Sequence, residues 1–207
     1  YVDTRSIQGE GEYKNDQQHG KWKFYHKNGK LFSEGDFVEG QRTGEWVQYY
    51  NTGEKEAEFN YAITTIAIEG IGETLHEKIG ALNGMKRFYH KDGKVKREEK
   101  YAAGKKSGIV REYFEDGRPK EMAEYSNDQN DGRSNTWWPS GKTKDKGAFR
   151  NGKKVGEWNY YHPNGAMNMT GRYQDDAMIG RWKHYAADGR LQKEGDYKVN
   201  DVVIKGK

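Results

Sequence analysis

The 207 residues contain no cysteine, which excludes disulfides, thiolate metal sites and cysteine nucleophiles. No apolar run approaches the roughly 20 residues that a bilayer-spanning helix needs. No secretory signal pattern is visible. No block of single-sign charge is long enough to serve as a nucleic-acid arm. The 36 Lys and Arg and 32 Asp and Glu are interspersed, as in Lys94-Val95-Lys96-Arg97 beside Glu98-Glu99-Lys100, and the net charge is only +4. Proline is scarce, with three residues, and apolar residues make up only 32% of the chain. Those fractions alone would suit a disordered chain.

Two abundances oppose disorder. Aromatic residues reach 14%, and there are 27 glycines. Together they imply many short strands joined by tight turns.

The glycines are periodic. One column runs Gly20, Gly44, Gly84, Gly108, Gly132, Gly156, Gly180, and a second runs Gly29, Gly53, Gly93, Gly117, Gly141, Gly165, Gly189. Every step is 24 residues except one of 40, which marks a 16-residue insertion between Gly53 and Gly84. Aromatics keep the same period in two columns. The first is Tyr1, Tyr25, Tyr49, Tyr89, Tyr113, Trp137, Tyr161, Tyr185, and the second is Tyr13, Phe37, Tyr61, Tyr101, Tyr125, Phe149, Tyr173, Tyr197.

Asn28, Thr52, Asp92, Asp116, Ser140, Asn164 and Asp188 precede the second glycine column. Asn-Gly and Asp-Gly predict two-residue type I′ hairpin turns, so Gly29, Gly53, Gly93, Gly117, Gly141, Gly165 and Gly189 are the structural turn residues. The first glycine column is expected to end the link to the next hairpin, as in Glu39-Gly40-Gln41-Arg42-Thr43-Gly44. Lys21 to His26 and Leu31 to Phe37 read as the strands flanking the turn.

A two-residue loop at Asn28-Gly29 sets a register in which Trp22 faces Gly35, Trp158 faces Gly171 and Trp182 faces Gly195. Such a glycine leaves room for the indole facing it. Where Lys86 replaces the Trp its partner is Glu99, and where Val110 does its partner is Ala123, which supports the register. Trp22, Phe24 and Phe37 then share the better-buried face, and Tyr25 lies on the other. Hairpins are not stable singly, so they are expected to stack as a solenoid. The predicted fold is all-β: an elongated, twisted antiparallel sheet of tandem 24-residue hairpins, about eight repeats over residues 1–207 with the first and last incomplete.

The string Gly156-Glu157-Trp158-Asn159-Tyr160-Tyr161-His162-Pro163-Asn164-Gly165 closely resembles the bacterial MORN-variant repeat, as does Gly20-Lys21-Trp22-Lys23-Phe24-Tyr25-His26-Lys27-Asn28-Gly29. The resemblance covers nearly the whole chain and extends to proteins labelled YwqK-family antitoxins. It implies a non-enzymatic scaffold that contacts proteins or membranes, and the antitoxin label would imply a cognate toxin. It carries no catalytic residues and no cofactor. The middle repeats depart from it, with Lys86, Val110 and Ser134 in place of Trp, and no turn glycine lies near Arg5.

The insertion, residues 62–77, begins with the most apolar, β-branched stretch of the chain. It reads either as an extra strand or covering loop, or as a docking element for a protein partner. Its Ile63, Ile66, Ile68, Ile71 and Leu75 are candidate partner-binding residues. Trp46, Tyr49, Trp158 and Tyr161 are candidates from the aromatic columns, which read either as core or as a stacking track for glycans or cations. A carbohydrate or cell-wall ligand is therefore the alternative to a protein partner, and a membrane surface is a third. His26, His90 and His162 share one column. At about 10 Å per repeat they stand too far apart to share a metal. No phosphate-cradling loop or nucleophile elbow is present, so no enzymatic activity is expected.

Tyr1 falls on an aromatic column, so the chain opens inside a repeat. That is what a cut from a longer protein, or a mature chain after a removed leader, would look like, and an exported, periplasmic or cell-surface location is the expectation. Asp201-Val202-Val203-Ile204 is expected to cap the array as a last strand.

Overall fold

The computed structural model describes residues 8–69 and 74–198. Tyr1, Ile71, the proposed capping strand at Asp201–Ile204 and the position near Arg5 lie outside them. The chain divides into two compact units, Tyr1–Lys106 and Ser107–Lys207.

The first unit holds β1 (Gln8–Lys14), β2 (Gln17–Tyr25), β3 (Leu31–Val38), β4 (Gln41–Tyr49), β5 (Lys55–Glu69), β6 (Thr74–Leu82), β7 (Gly84–Tyr89), β8 (Val95–Ala102) and β9 (Lys105–Lys106). Each strand from β1 to β6 pairs antiparallel with the next, β5 also pairs with β7, and β7 continues to β8 and β9. The second unit holds β10 (Gly108–Tyr113), β11 (Pro119–Ser126), β12 (Gln129–Trp137), β13 (Thr143–Arg150), β14 (Lys153–Tyr161), β15 (Met167–Gln174), β16 (Ala177–Tyr185) and β17 (Leu191–Tyr197), an uninterrupted antiparallel meander. The all-β hairpin-repeat fold is as expected.

The predicted register is present: Trp22 pairs with Gly35, Trp158 with Gly171, Trp182 with Gly195, Lys86 with Glu99 and Val110 with Ala123. The turn that produces it differs from the expectation. Gly29 N–H donates to His26 O (2.9 Å) and His26 N–H to Lys30 O (2.8 Å), while Gly29 has φ 78° and Asn28 is not in the left-handed region. This is a three-residue loop, a type I turn closed by a left-handed glycine, and not a type I′ turn. The pairing then shifts between Phe24 and Tyr25, which restores the register of a two-residue loop. Asn or Asp suits the position before the glycine for another reason. Asn28 Oδ1 accepts from Lys30 N–H (3.1 Å), Asn164 Oδ1 from Ala166 N–H (3.0 Å), and Asp92, Asp116 and Asp188 do the same.

The doubly left-handed turns lie at the other end of each hairpin. Asn15-Asp16, Glu39-Gly40, Ala103-Gly104, Asn127-Asp128, Asn151-Gly152 and Asp175-Asp176 all have positive φ at both residues. In the first glycine column Gly84 and Gly108 do open their strands, but Gly20, Gly44, Gly156 and Gly180 end no link: they sit inside strands, with φ between 63° and 68°. Each lies where the ladder loses register, as between Glu34/Val47 and Asp36/Thr43. They are bulge glycines.

The bulge positions the core. On β4 it lifts Trp46 over Gly35 of the preceding strand, where an added Cβ would stand 2.3 Å from the ring. Trp22 covers Gly11, Trp158 covers Gly147 and Trp182 covers Gly171 in the same way. The glycine facing a Trp within its own hairpin is thus filled by the indole of the next repeat, which corrects the expected reason for it. Among the described residues, nothing lies within 4 Å of the Cβ position of Gly195. Where the next repeat lacks Trp the glycine is absent too: Phe59 precedes Lys86, and Ala123 precedes Ser134. Trp22, Trp158 and Trp182 donate their indole N–H to Glu12 O (3.1 Å), Ala148 O (3.1 Å) and Arg172 O (3.2 Å). Trp22, Phe37, Trp46, Ala57 and Phe59 form the core of the first unit, with Phe24 packed against it, on the face predicted.

Candidate functional site

Two features depart from the repeat: a strand extension in the first unit and a basic groove in the second.

Elsewhere a two-residue turn would follow the strand, as Glu39-Gly40 follows Val38. At the insertion β5 and β6 run on instead, pairing continuously from Tyr61 with Leu82 to Glu69 with Thr74. The described residues of the insertion, 62–69 and 74–77, are therefore paired antiparallel strands, the extra-strand reading, and not a loop folded over the array. β4 pairs with β5 only as far as Tyr61. Beyond that point, among the described residues, neither β5 nor β6 has a further strand on its outer edge.

The arm is anchored at its base. Gly80 N–H donates to Gln41 Oε1 (3.1 Å), and a Cβ at Gly80 would stand 2.2 Å from Arg42 O, so only glycine admits this approach. Arg42 places its guanidinium over Trp46 (4.4 Å) and donates to Tyr61 Oη (3.3 Å). Ile63, Thr65 and Ala67 alternate with Thr64, Ile66 and Ile68 on opposite faces. Ile63 and Ile68 are each 40% exposed, Ile66 is half-buried, and Leu75 pairs with Ile68 through the backbone.

The aromatic candidates are not surface groups of one kind. Trp46 and Trp158 are 1% and 2% exposed, enclosed by the neighbouring strand, so neither ring is open to a ligand. Tyr49 is half-buried and donates to Glu34 (2.9 Å); burial first, and then this bond, push its pKa up. Tyr161 is half-buried beneath Lys146, with Nζ 5.8 Å from its ring centre. The column after these tyrosines ties repeats together. His26 Nε2 lies 3.0 Å from Tyr49 O, Trp138 Nε1 donates to Tyr161 O (3.2 Å), and His162 Nε2 lies 2.9 Å from Tyr185 O. These imidazoles are occupied in the fold as hydrogen-bond donors.

The second feature was not found from the sequence. Across β12 to β15, on the face opposite the indoles, runs a groove of about 830 Å³. Arg133, Lys146, Arg150 and Arg172 surround it, and Ala148, Val155 and Gly156 floor it. Glu157 and Asp175 are its carboxylates. The column of Lys146 holds no other cation, but those of Arg133, Arg150 and Arg172 do, at Lys21, Lys14 and Lys100 for example, and only the strand pairing brings the four together.

Among the described residues no helix is long and apolar enough to cross a membrane. A family profile for the MORN repeat variant matches residues 18–39, 42–62, 82–103, 106–127 and 178–198. No curated protein is significantly similar to the chain.

Proposed function

Because the chain belongs to the MORN-repeat family, we propose that it is a scaffold that holds a protein partner through the β5–β6 arm. Repeats of this type are non-enzymatic and generally mediate contacts with proteins or membranes. The observation that carries the reading is the arm itself. It is a two-stranded extension with open edges and exposed isoleucines, placed where the repeat calls for a two-residue turn. Open edges offer main-chain hydrogen bonds to an added strand, and the side chains set its specificity. Covering each exposed isoleucine contributes on the order of 1 kcal/mol. The carbohydrate alternative loses its stacking track with Trp46 and Trp158 enclosed. An antitoxin-like role would be one instance of this scaffold function, with a toxin as the partner.

Deletion of residues 62–77 tests the reading cleanly. It restores the 24-residue spacing and leaves Ile79-Gly80 where other repeats hold Glu39-Gly40 and Ala103-Gly104. The truncated chain is expected to unfold as cooperatively as the intact one and to lose a partner that the intact chain captures from its native cell. Equal capture by both chains would refute the arm as the docking element.

A further inference from the structure

The groove of the second unit is set apart by its charge. In the column of Lys146 the other repeats carry Glu10, Glu34, Glu58, Glu98, Met122, Thr170 and Glu194. In the column of Arg150 the four repeats before it carry Val38, Ala62, Ala102 and Ser126, and other cations stand only at Lys14 and Lys198. Elsewhere the glutamates of the Lys146 column neutralise cations across the ladder: Arg87 bonds Glu98 (3.1 Å) and Arg181 bonds Glu194. Here the partner of Lys146 is Asn135, an amide in place of a counter-charge. Arg133, Arg150 and Arg172 are exposed, and among the described residues their side chains make no ion pair or hydrogen bond. Four cations thus face two carboxylates around one groove.

The layout of the groove indicates its ligand. Arg133 pairs with Ala148, Ala148 with Val155, and Glu157 with Arg172, so the two arginines flank a floor of small residues across four strands. Three strand spacings put their backbones about 14 Å apart. In an extended chain, residues four apart are separated by about 13 Å. The lining is also mixed: Glu157 and Asp175 accept hydrogen bonds, while Asn135, Asn159 and Gln174 both donate and accept. A phosphate surface needs donors only and is repelled by those carboxylates. A polypeptide backbone presents donors and acceptors alike.

We propose that this groove docks an extended, acidic segment of a protein partner, with carboxylates four residues apart meeting Arg133 and Arg172. The proposal rests on the scaffold reading and adds a second surface with a defined partner chemistry. The test is fluorescence anisotropy of a labelled (Glu-Ala)5 decapeptide titrated with the full chain, at low salt and at about 0.15 M salt. Saturable binding is expected, with affinity falling about tenfold in the Arg133→Gln/Arg172→Gln variant. A Lys21→Gln/Lys100→Gln control, with the same charge loss at the matching columns of the first unit, is expected to bind as wild type. Absence of saturable binding, or equal loss in the control, overturns the groove. So does stronger, Arg133- and Arg172-dependent binding to vesicles of equal parts phosphatidylserine and phosphatidylcholine, which would make it a membrane surface. Each of these failures leaves arm-dependent partner capture intact, so the two readings fall separately.

Discussion

The indole of Trp46 lies over Gly35, so close that a methyl group there would stand 2.3 Å from Cδ2 and Cε2 of the ring. The two residues belong to adjacent hairpins, and the glycine exists to receive the next repeat. Gly171 stands in the same relation to Trp182, whereas Gly195 receives nothing among the described residues. Neither has left-handed φ, so an alanine tests packing and not backbone strain. Gly171→Ala is expected to lower stability by about 1–3 kcal/mol through overpacking, and Gly195→Ala to change it far less. Denaturant unfolding of the two variants side by side measures the difference.

Trp182→Ala is expected to cost about 3–5 kcal/mol, since the ring is fully buried and its N–H bonds Arg172 O. Removing the ring also removes the obstacle at Gly171. The double variant Gly171→Ala/Trp182→Ala is therefore expected to be more stable than the sum of the single effects. Strict additivity in that cycle would show that the residues do not meet.

Ala103 holds φ 47° at the first position of an exposed two-residue turn. An L-residue with a Cβ pays about 1 kcal/mol there. Ala103→Gly is expected to stabilise the first unit by up to that amount, read as a higher denaturant midpoint with an unchanged slope.

Burial, and then the hydrogen bond it shares with the Tyr160 hydroxyl (3.3 Å), push the Tyr173 hydroxyl up to about 12. Burial, and then the bond to Glu58, raise Tyr89 likewise to about 12. A raised folded pKa favours the neutral form in the native state. The associated stability is therefore fully present below pH 10.0, the ordinary tyrosine value, and is lost as pH rises through about 12. Unfolding midpoints measured across that window should fall, and should fall less steeply for Tyr173→Phe.

Much of this was legible in the sequence because it recurs. The period, the strand pairing of Trp22 with Gly35 and the buried face all follow from columns of one residue type. What was not legible depends on how strands bulge. The loop at Asn28-Gly29 is one residue longer than expected, but the shift between Phe24 and Tyr25 cancels the difference, so the pairing could not reveal the turn. The covering of Gly35 by Trp46 instead of Trp22 depends on the bulge at Gly44, which periodicity does not encode. Among the candidate site residues, Ile63 and Ile68 are exposed, whereas Trp46 and Trp158 are spent on the core. The groove escaped because its cations come from separate strands, and each alone looks like a solvated surface charge.

The most direct test of the scaffold account is site-specific photo-crosslinking in the native cell, with a photoreactive residue replacing Ile68 on the arm and, as a control, Lys193 on β17. The account predicts one discrete protein adduct at position 68 and none at position 193. A position-68 variant that folds but crosslinks only to lipid, to glycan or to nothing would contradict it.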